Sequence, residues 1–177
     1  MNAQSPEFIR VIEIGDDFSR KARAPGGSPR DVAIKFAQEM LTSVRPPLVD
    51  YLGDECQRLE VTLLAARAGN GDYASLMAVA YEASQNIRDV AEPAGQSLIG
   101  FIASNLCTII ETAADADMQY PAAIIDCHCD ALRLAQNPAF AGKTIGELPE
   151  LSAGLAETAQ MTKVLAARRL RQALVNA

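Results

Sequence analysis

The chain has 177 residues, of which 49% are hydrophobic, 21% charged and 5% aromatic; it has no tryptophan and a formal net charge of −6. That length suits one domain whose core needs neither disulfides nor a metal, and the alanine-rich apolar share favours helix over sheet. The acidic balance excludes the basic footprint of a general nucleic-acid binder. Four cysteines, Cys56, Cys107, Cys127 and Cys129, are spaced irregularly, no secretory signal precedes them, and no run of eighteen apolar residues occurs. The expectation is therefore a reduced, cytoplasmic protein without a membrane span.

Residues 1–28 read as an N-terminal arm. Phe8 to Ile14 alternates enough to be extended, and Pro25-Gly26-Gly27 breaks regular structure. Ser28-Pro29-Arg30-Asp31 is a helix start, with a hydroxyl cap, proline in the first turn and an acid at the positive dipole end. This helix is expected to run to about Val44, where Pro46-Pro47 interrupts it and opens a second helix. The second helix carries Leu48, Leu52, Leu59, Leu63 and Leu64 inward at helical spacing and stops at Gly69-Asn70-Gly71.

Asp72 caps a third helix with a buried stripe of Leu76, Ala80, Ala83 and Ile87. After Glu92-Pro93 a fourth helix carries Leu98, Ile102, Leu106, Ile109 and Ile110. A fifth opens between Asp117 and Pro121, carries Ile124, Ile125, His128, Leu132 and Ala135, and ends at Asn137-Pro138. A loop with Gly142, Gly146 and Pro149 leads to a last helix from about Leu151 to Leu174. Short turns between amphipathic helices imply an all-α, antiparallel up-and-down bundle. Its four core helices are the second to the fifth, flanked by the arm, the first helix and the C-terminal helix. The expected division is an arm over 1–28, a bundle over 29–141, and a loop with a helix over 142–177.

The common catalytic signatures are missing: there is no phosphate-binding Gly-rich loop, no dinucleotide fingerprint, no Gly-x-Ser-x-Gly elbow and no His-Glu-x-x-His. Cys127-His128-Cys129 admits a metal reading and a buried-thiol reading. Consecutive helical residues point about 100° apart, so three in a row converge on one ion only with distortion, which favours buried thiols. His128, the one histidine, falls on the apolar stripe four residues after Ile124. It reads as a packed core residue, although a lone histidine on a bundle is also what a phosphohistidine carrier needs. Lys163, Arg168, Arg169 and Arg171 read either as cations favoured near a helix C-terminus or as a docking face for an acidic partner. No cofactor and no metal are expected.

Ala80-Tyr81-Glu82-Ala83-Ser84-Gln85-Asn86-Ile87-Arg88-Asp89, followed by Ala103-Ser104-Asn105-Leu106-Cys107-Thr108-Ile109-Ile110-Glu111, resembles histidine phosphotransfer (HPt) domains of the alphaproteobacterial type. In that family one helix carries His-x-x-Lys/Arg-Gly, and the next, after a short break, carries a Ser-Leu-Cys-like segment. Asp126-Cys127-His128-Cys129-Asp130-Ala131-Leu132-Arg133 is similar to its closing helix, Tyr51 to Glu60 to its second helix, and Arg10 to Ala22 to its N-terminal arm. The likeness covers roughly residues 10 to 140. Counting back from Cys107 without gaps, it places the phosphoacceptor position at Gln85, the basic residue at Arg88 and the small residue at Asp89.

The departures decide what the resemblance implies. A phosphoacceptor works through a nucleophilic imidazole nitrogen, and the amide of Gln85 has none. Asp89 adds bulk and negative charge where a partner's acidic pocket would approach. The implied protein is a degenerate HPt module, not an enzyme, that binds a response-regulator receiver or a histidine kinase through Tyr81, Gln85, Arg88 and Asp89 without relaying phosphate. Helix arithmetic agrees with an outward face, since Gln85 lies nine residues, or half a turn, from Leu76. Two other readings stand beside it: phosphotransfer through His128, and a homo-oligomeric structural bundle associating through the last helix.

Overall fold

The computed structural model describes residues 29–175, and among these the chain forms five α-helices, two short 3-10 turns and no strand. The helices are α1 (Arg30–Ala68), α2 (Tyr73–Ala91), α3 (Ser97–Asp115), α4 (Ala122–Gln136) and α5 (Pro149–Val175). The 3-10 turns, Pro138–Phe140 and Ile145–Glu147, lie in the connection from α4 to α5. The expected arm over 1–28, including the cap at Ser28, lies outside the described residues.

The chain divides into two compact units, Met1–Met40 and Leu41–Ala177. The described part of the first is the start of α1, where Val32, Ile34 and Phe36 are exposed and Lys35 lies 3.9 Å from Glu39. The second unit holds the remainder of α1 and every other helix, so α5 belongs to the same unit as the helices before it.

The expected break at Pro46-Pro47 does not occur: α1 runs without interruption through both prolines. Neither ring nitrogen carries a hydrogen for the helical ladder. Residues 42–47 are solvent-exposed, however, so the carbonyls that the prolines cannot serve lie within reach of water. The first two expected helices are thus one.

Three helices end in the same way, with the chain turning through a left-handed residue and two reversed backbone bonds. At the end of α1, Gly69 (φ 69°) and Asn70 donate to the carbonyls of Ala66 and Ala65. After α2, Gly95 (φ 74°) and Gln96 donate to Glu92 and Ala91. After α3 the left-handed position is held by Asp117 (φ 46°), with Asp117 and Met118 donating to Ala114 and Ala113. These tight ends return each helix beside its predecessor. Arg58 reaches Glu82 at 3.1 Å across α1 and α2, and Arg67 reaches Asp126 at 3.0 Å across α1 and α4. Arg133 of α4 bonds Glu60 of α1 through Nε at 2.7 Å. Tyr81 bonds Glu111 across α2 and α3. In each helix pair the residue numbers rise on one side as they fall on the other, which makes the neighbours antiparallel.

The core is one cluster to which each helix contributes a stripe. Leu52, Cys56, Leu59 and Leu63 come from α1; Ala80, Ala83, Ile87 and Ala91 from α2; Leu98, Ile102, Ala103 and Leu106 from α3; Ile125, Cys129, Leu132 and Ala135 from α4. On α2 the stripe is rotated slightly from the expected one, since Met77 is buried and Leu76 only half-buried. Small residues let α2 and α3 approach so closely that a Cβ on Gly100 would sit 2.9 Å from the Cβ of Ala91. Among the described residues α3 alone is long and apolar enough to cross a membrane, by length and composition. Its place here is central, packed against α2, α4 and α5. From α5, Leu155 enters the core fully buried, with Thr158, Thr162 and Ala166 buried behind it.

Candidate functional site

The helical period decides which side chains α2 presents outward. Ala80, Ala83, Ser84 and Ile87 point into the core, so the residues between them must emerge. Ser84 is fully buried, and its hydroxyl donates to the Ala80 carbonyl at 2.7 Å. Tyr81 and Gln85 are half-buried beside it, while Arg88 and Asp89 are exposed. The four residues form a continuous band along α2.

The band is more ordered than four independent side chains. The guanidinium of Arg88 donates to the Asp89 carboxylate at 3.0 Å. Asp89 is therefore ion-paired with its neighbour and does not stand as an isolated negative charge. The Tyr81 hydroxyl donates to the Glu111 carboxylate of α3, which holds the phenol's pKa above its ordinary value. Cys107, also from α3, lies within electrostatic reach of Arg88; the residue is 3% exposed, and burial pushes its pKa up to about 11 against the pull of Arg88. Gln85 thus sits in a frame of two paired side chains, the ion pair of Arg88 with Asp89 and the hydrogen bond from Tyr81 to Glu111. An amide there can hydrogen-bond but offers no lone pair that could hold a phosphoryl group covalently.

His128 lies elsewhere. Its ring is fully buried, with Nδ1 2.8 Å from the Ile124 carbonyl and Nε2 2.8 Å from Asn105 Oδ1. Burial lowers its pKa, partly opposed by the Ile124 carbonyl. A nitrogen enclosed in this way is not presented to a partner's acyl phosphate, which counts against phosphotransfer through His128. Cys129 is buried beside it and Cys127 half-buried. Among the described residues no three His, Cys, Asp or Glu side chains gather in a way that could hold a metal ion.

The basic residues Lys163, Arg168, Arg169 and Arg171 are all exposed. Because α5 continues to Val175 and its last turn carries no basic residue, favourable placement at the helix end accounts for none of them. Arg169 instead faces a cleft at the far end of α2 and α3.

Sequence reasoning missed three features of this region. The bond from Tyr81 to Glu111 joins residues 30 apart, the His128 pair joins residues 23 apart, and the cleft draws on three helices. The usable signal for the first was modest: Glu111 closes the same segment of α3 that contains Cys107. No protein-family model matches the chain, and no curated protein or solved structure matches it either.

Proposed function

We propose that the chain is a non-catalytic signalling adaptor, a degenerate HPt-like bundle that docks a response-regulator receiver or a histidine kinase without relaying phosphate. The observation that carries this reading is Gln85, half-buried at the position that the resemblance gives to the acceptor, with exposed Arg88 one turn along the same face of α2. A receiver's phosphorylation pocket is acidic, and a cation presented beside the acceptor position complements it. The all-helical bundle supports the reading by supplying rigid neighbouring helices for such a face. The fully buried ring of His128 supports it from the other side, since the chain's one histidine is not available as a substitute acceptor.

The test is to incubate the purified protein with each receiver of the source organism, phosphorylated with a radiolabel, and to follow complex formation and label transfer together. A stable complex with at least one receiver and no acid-labile label on the protein is the expected result. Label on the protein, or no complex with any receiver or kinase, contradicts the proposal.

The structural-oligomer reading is favoured by one specific observation: Leu170 and Leu174, four residues apart on α5, are 48% and 80% exposed. Removing α5 would not test it, because Leu155 would leave the core as well. Leu170→Glu combined with Leu174→Glu leaves the core intact. If the protein self-associates through this face, its concentration-dependent mass in solution falls to that of one chain in the double variant. A wild type that is already a single chain at all concentrations ends this reading.

A further inference from the structure

The N-terminal half of α2, the C-terminal half of α3 and the connection over 116–121 enclose a cleft of about 1070 Å³, with Arg169 of α5 at its edge. That volume lies at the upper end of small-molecule sites, which run to about 1,000 Å³. The cleft has an apolar floor: Met77 and Ile110, each only 6% exposed, line it from α2 and α3. One wall is aromatic. Tyr73 and Tyr120 stand with ring centroids 6.2 Å apart and planes inclined at 59°, and the Tyr120 backbone N–H donates to the Tyr73 hydroxyl at 2.9 Å, which fixes the corner they make.

The charge of the cleft decides what would enter it. Among the described residues, Asp72, Glu111, Asp115 and Asp117 line it with one cation, Arg169. The C-terminus of α3 also ends here, and its last turn has no basic residue to offset the partial negative charge of that helix end. An anionic ligand would meet net repulsion. A neutral apolar ligand would use the floor and waste the carboxylates. An organic cation with an apolar body uses the floor, the tyrosine faces and the carboxylates together, because aromatic faces attract ammonium groups and do so most strongly when water is excluded.

We infer that this cleft is a binding site for a small amphipathic organic cation, with its ammonium head in the corner of Tyr73 and Tyr120 and its apolar body over Met77 and Ile110. The site is separate from the proposed docking band and touches it only through Tyr81, so either proposal can fail without the other.

The protein reports on the site by itself. It has four tyrosines and no tryptophan, and Tyr73, Tyr81 and Tyr120 all line the cleft, so intrinsic tyrosine emission follows occupancy. The probe is (4-phenylbutyl)trimethylammonium, compared with its uncharged isostere carrying a tert-butyl group and with 4-phenylbutane sulfonate. Saturable binding of the cation is expected, about tenfold tighter than the neutral isostere, from the cation–π and carboxylate contributions, and the sulfonate does not bind. Asp115→Asn, an exposed position that leaves the core untouched, weakens the cation several-fold and leaves the isostere unchanged. Tyr120→Leu with an unchanged circular dichroism spectrum removes the preference for the cation. Absence of saturation with the cation, equal binding of cation and isostere, or indifference to both substitutions overturns the proposal.

Discussion

His128 Nε2 lies 2.8 Å from Asn105 Oδ1, between α4 and α3, and the same Asn105 side chain donates through Nδ2 to the Leu155 carbonyl of α5 at 3.3 Å. A backbone carbonyl only accepts, so Leu155 obliges Asn105 to turn its oxygen toward the ring. The Ile124 carbonyl at Nδ1 is also an acceptor. Both ring nitrogens therefore face acceptors, and only the doubly protonated ring could donate to both. Burial works against that charge and prevails, holding the imidazole pKa below its ordinary value.

The sign of the resulting pH dependence follows. With the folded pKa below the unfolded one, the unfolded chain takes up a proton near pH 6.5 that the folded chain does not. Stability is therefore fully present above about pH 6.5 and declines below it, until the folded pKa is passed. His128 is the one histidine, so denaturant midpoints compared between pH 7.5 and 5.5 report it directly. Asn105→Asp places a carboxylate at Nε2 and raises the ring's pKa, read by NMR titration; an unchanged or lowered value would contradict the network.

At Gly100 the prediction is steric. A Cβ there would lie 2.9 Å from that of Ala91, an atom fixed to the backbone of α2 and unable to swing aside. Gly100→Ala gains up to about 1 kcal/mol in helix propensity but forces α2 and α3 apart, at about 1–3 kcal/mol for an overpacked contact. Net destabilisation is expected by thermal unfolding, and Gly100→Val should be worse. Adding Ala91→Gly removes the obstacle, so the double variant should show positive coupling to Gly100→Ala.

The thiols should differ in reactivity. The pKa values of Cys56, Cys107 and Cys129 are pushed up to about 12, about 11 and about 11, mainly by burial, and each is at most 3% exposed. Thiolate is the reacting form, so iodoacetamide at pH 8 should modify half-buried Cys127 first. Cys56 should react only on unfolding. Peptide mass spectrometry over time gives the order; early modification of Cys56 would mean that α1 does not pack as described.

Asp117 occupies the left-handed position at the end of α3, where the equivalent positions after α1 and α2 are glycines. Glycine adopts that conformation without the steric penalty of a Cβ. Asp117→Gly removes a left-handed penalty of roughly 1–2 kcal/mol, less the roughly 0.4–1 kcal/mol that glycine's freedom adds to the unfolded chain, so a small net stabilisation is expected while cation binding in the cleft weakens. The two readouts, chemical denaturation and tyrosine emission, should move in opposite directions.

Much of this architecture is legible residue by residue. Asp72 is a helix cap by type, and its carboxylate accepts from the Ser75 N–H at 2.9 Å. The stripes Leu98, Ile102, Leu106 and Ile124, His128, Leu132 are buried as their spacing predicts. Local rules fail where distant context decides. The proline rule breaks α1 at Pro46, but exposure to water lets the helix continue. Leu76 and Met77 are neighbouring apolar residues, and tertiary packing, not local pattern, decides that Met77 is the buried one. The outward face of α2 follows from 100° arithmetic, whereas the partners Glu111 for Tyr81 and Asn105 for His128 come from helices whose register no single segment encodes. The cleft, built from Tyr73, Ile110 and Tyr120, has no contiguous sequence signal at all.

The most direct measurement is the affinity of the purified protein for the receivers and kinases of the source organism, with wild type and Arg88→Glu compared at one ionic strength. Arg88 is exposed and, among the described residues, forms its ion pair with its neighbour Asp89, so the reversal should leave the fold intact, as circular dichroism will register. At least one specific partner is expected for the wild type, with a loss of affinity of tenfold or more in the variant, on the order of the 1.4 kcal/mol expected for turning an attractive interfacial charge into a repulsive one. Equal affinity of the two proteins, or no partner for the wild type, would contradict a docking face built around Gln85 and Arg88.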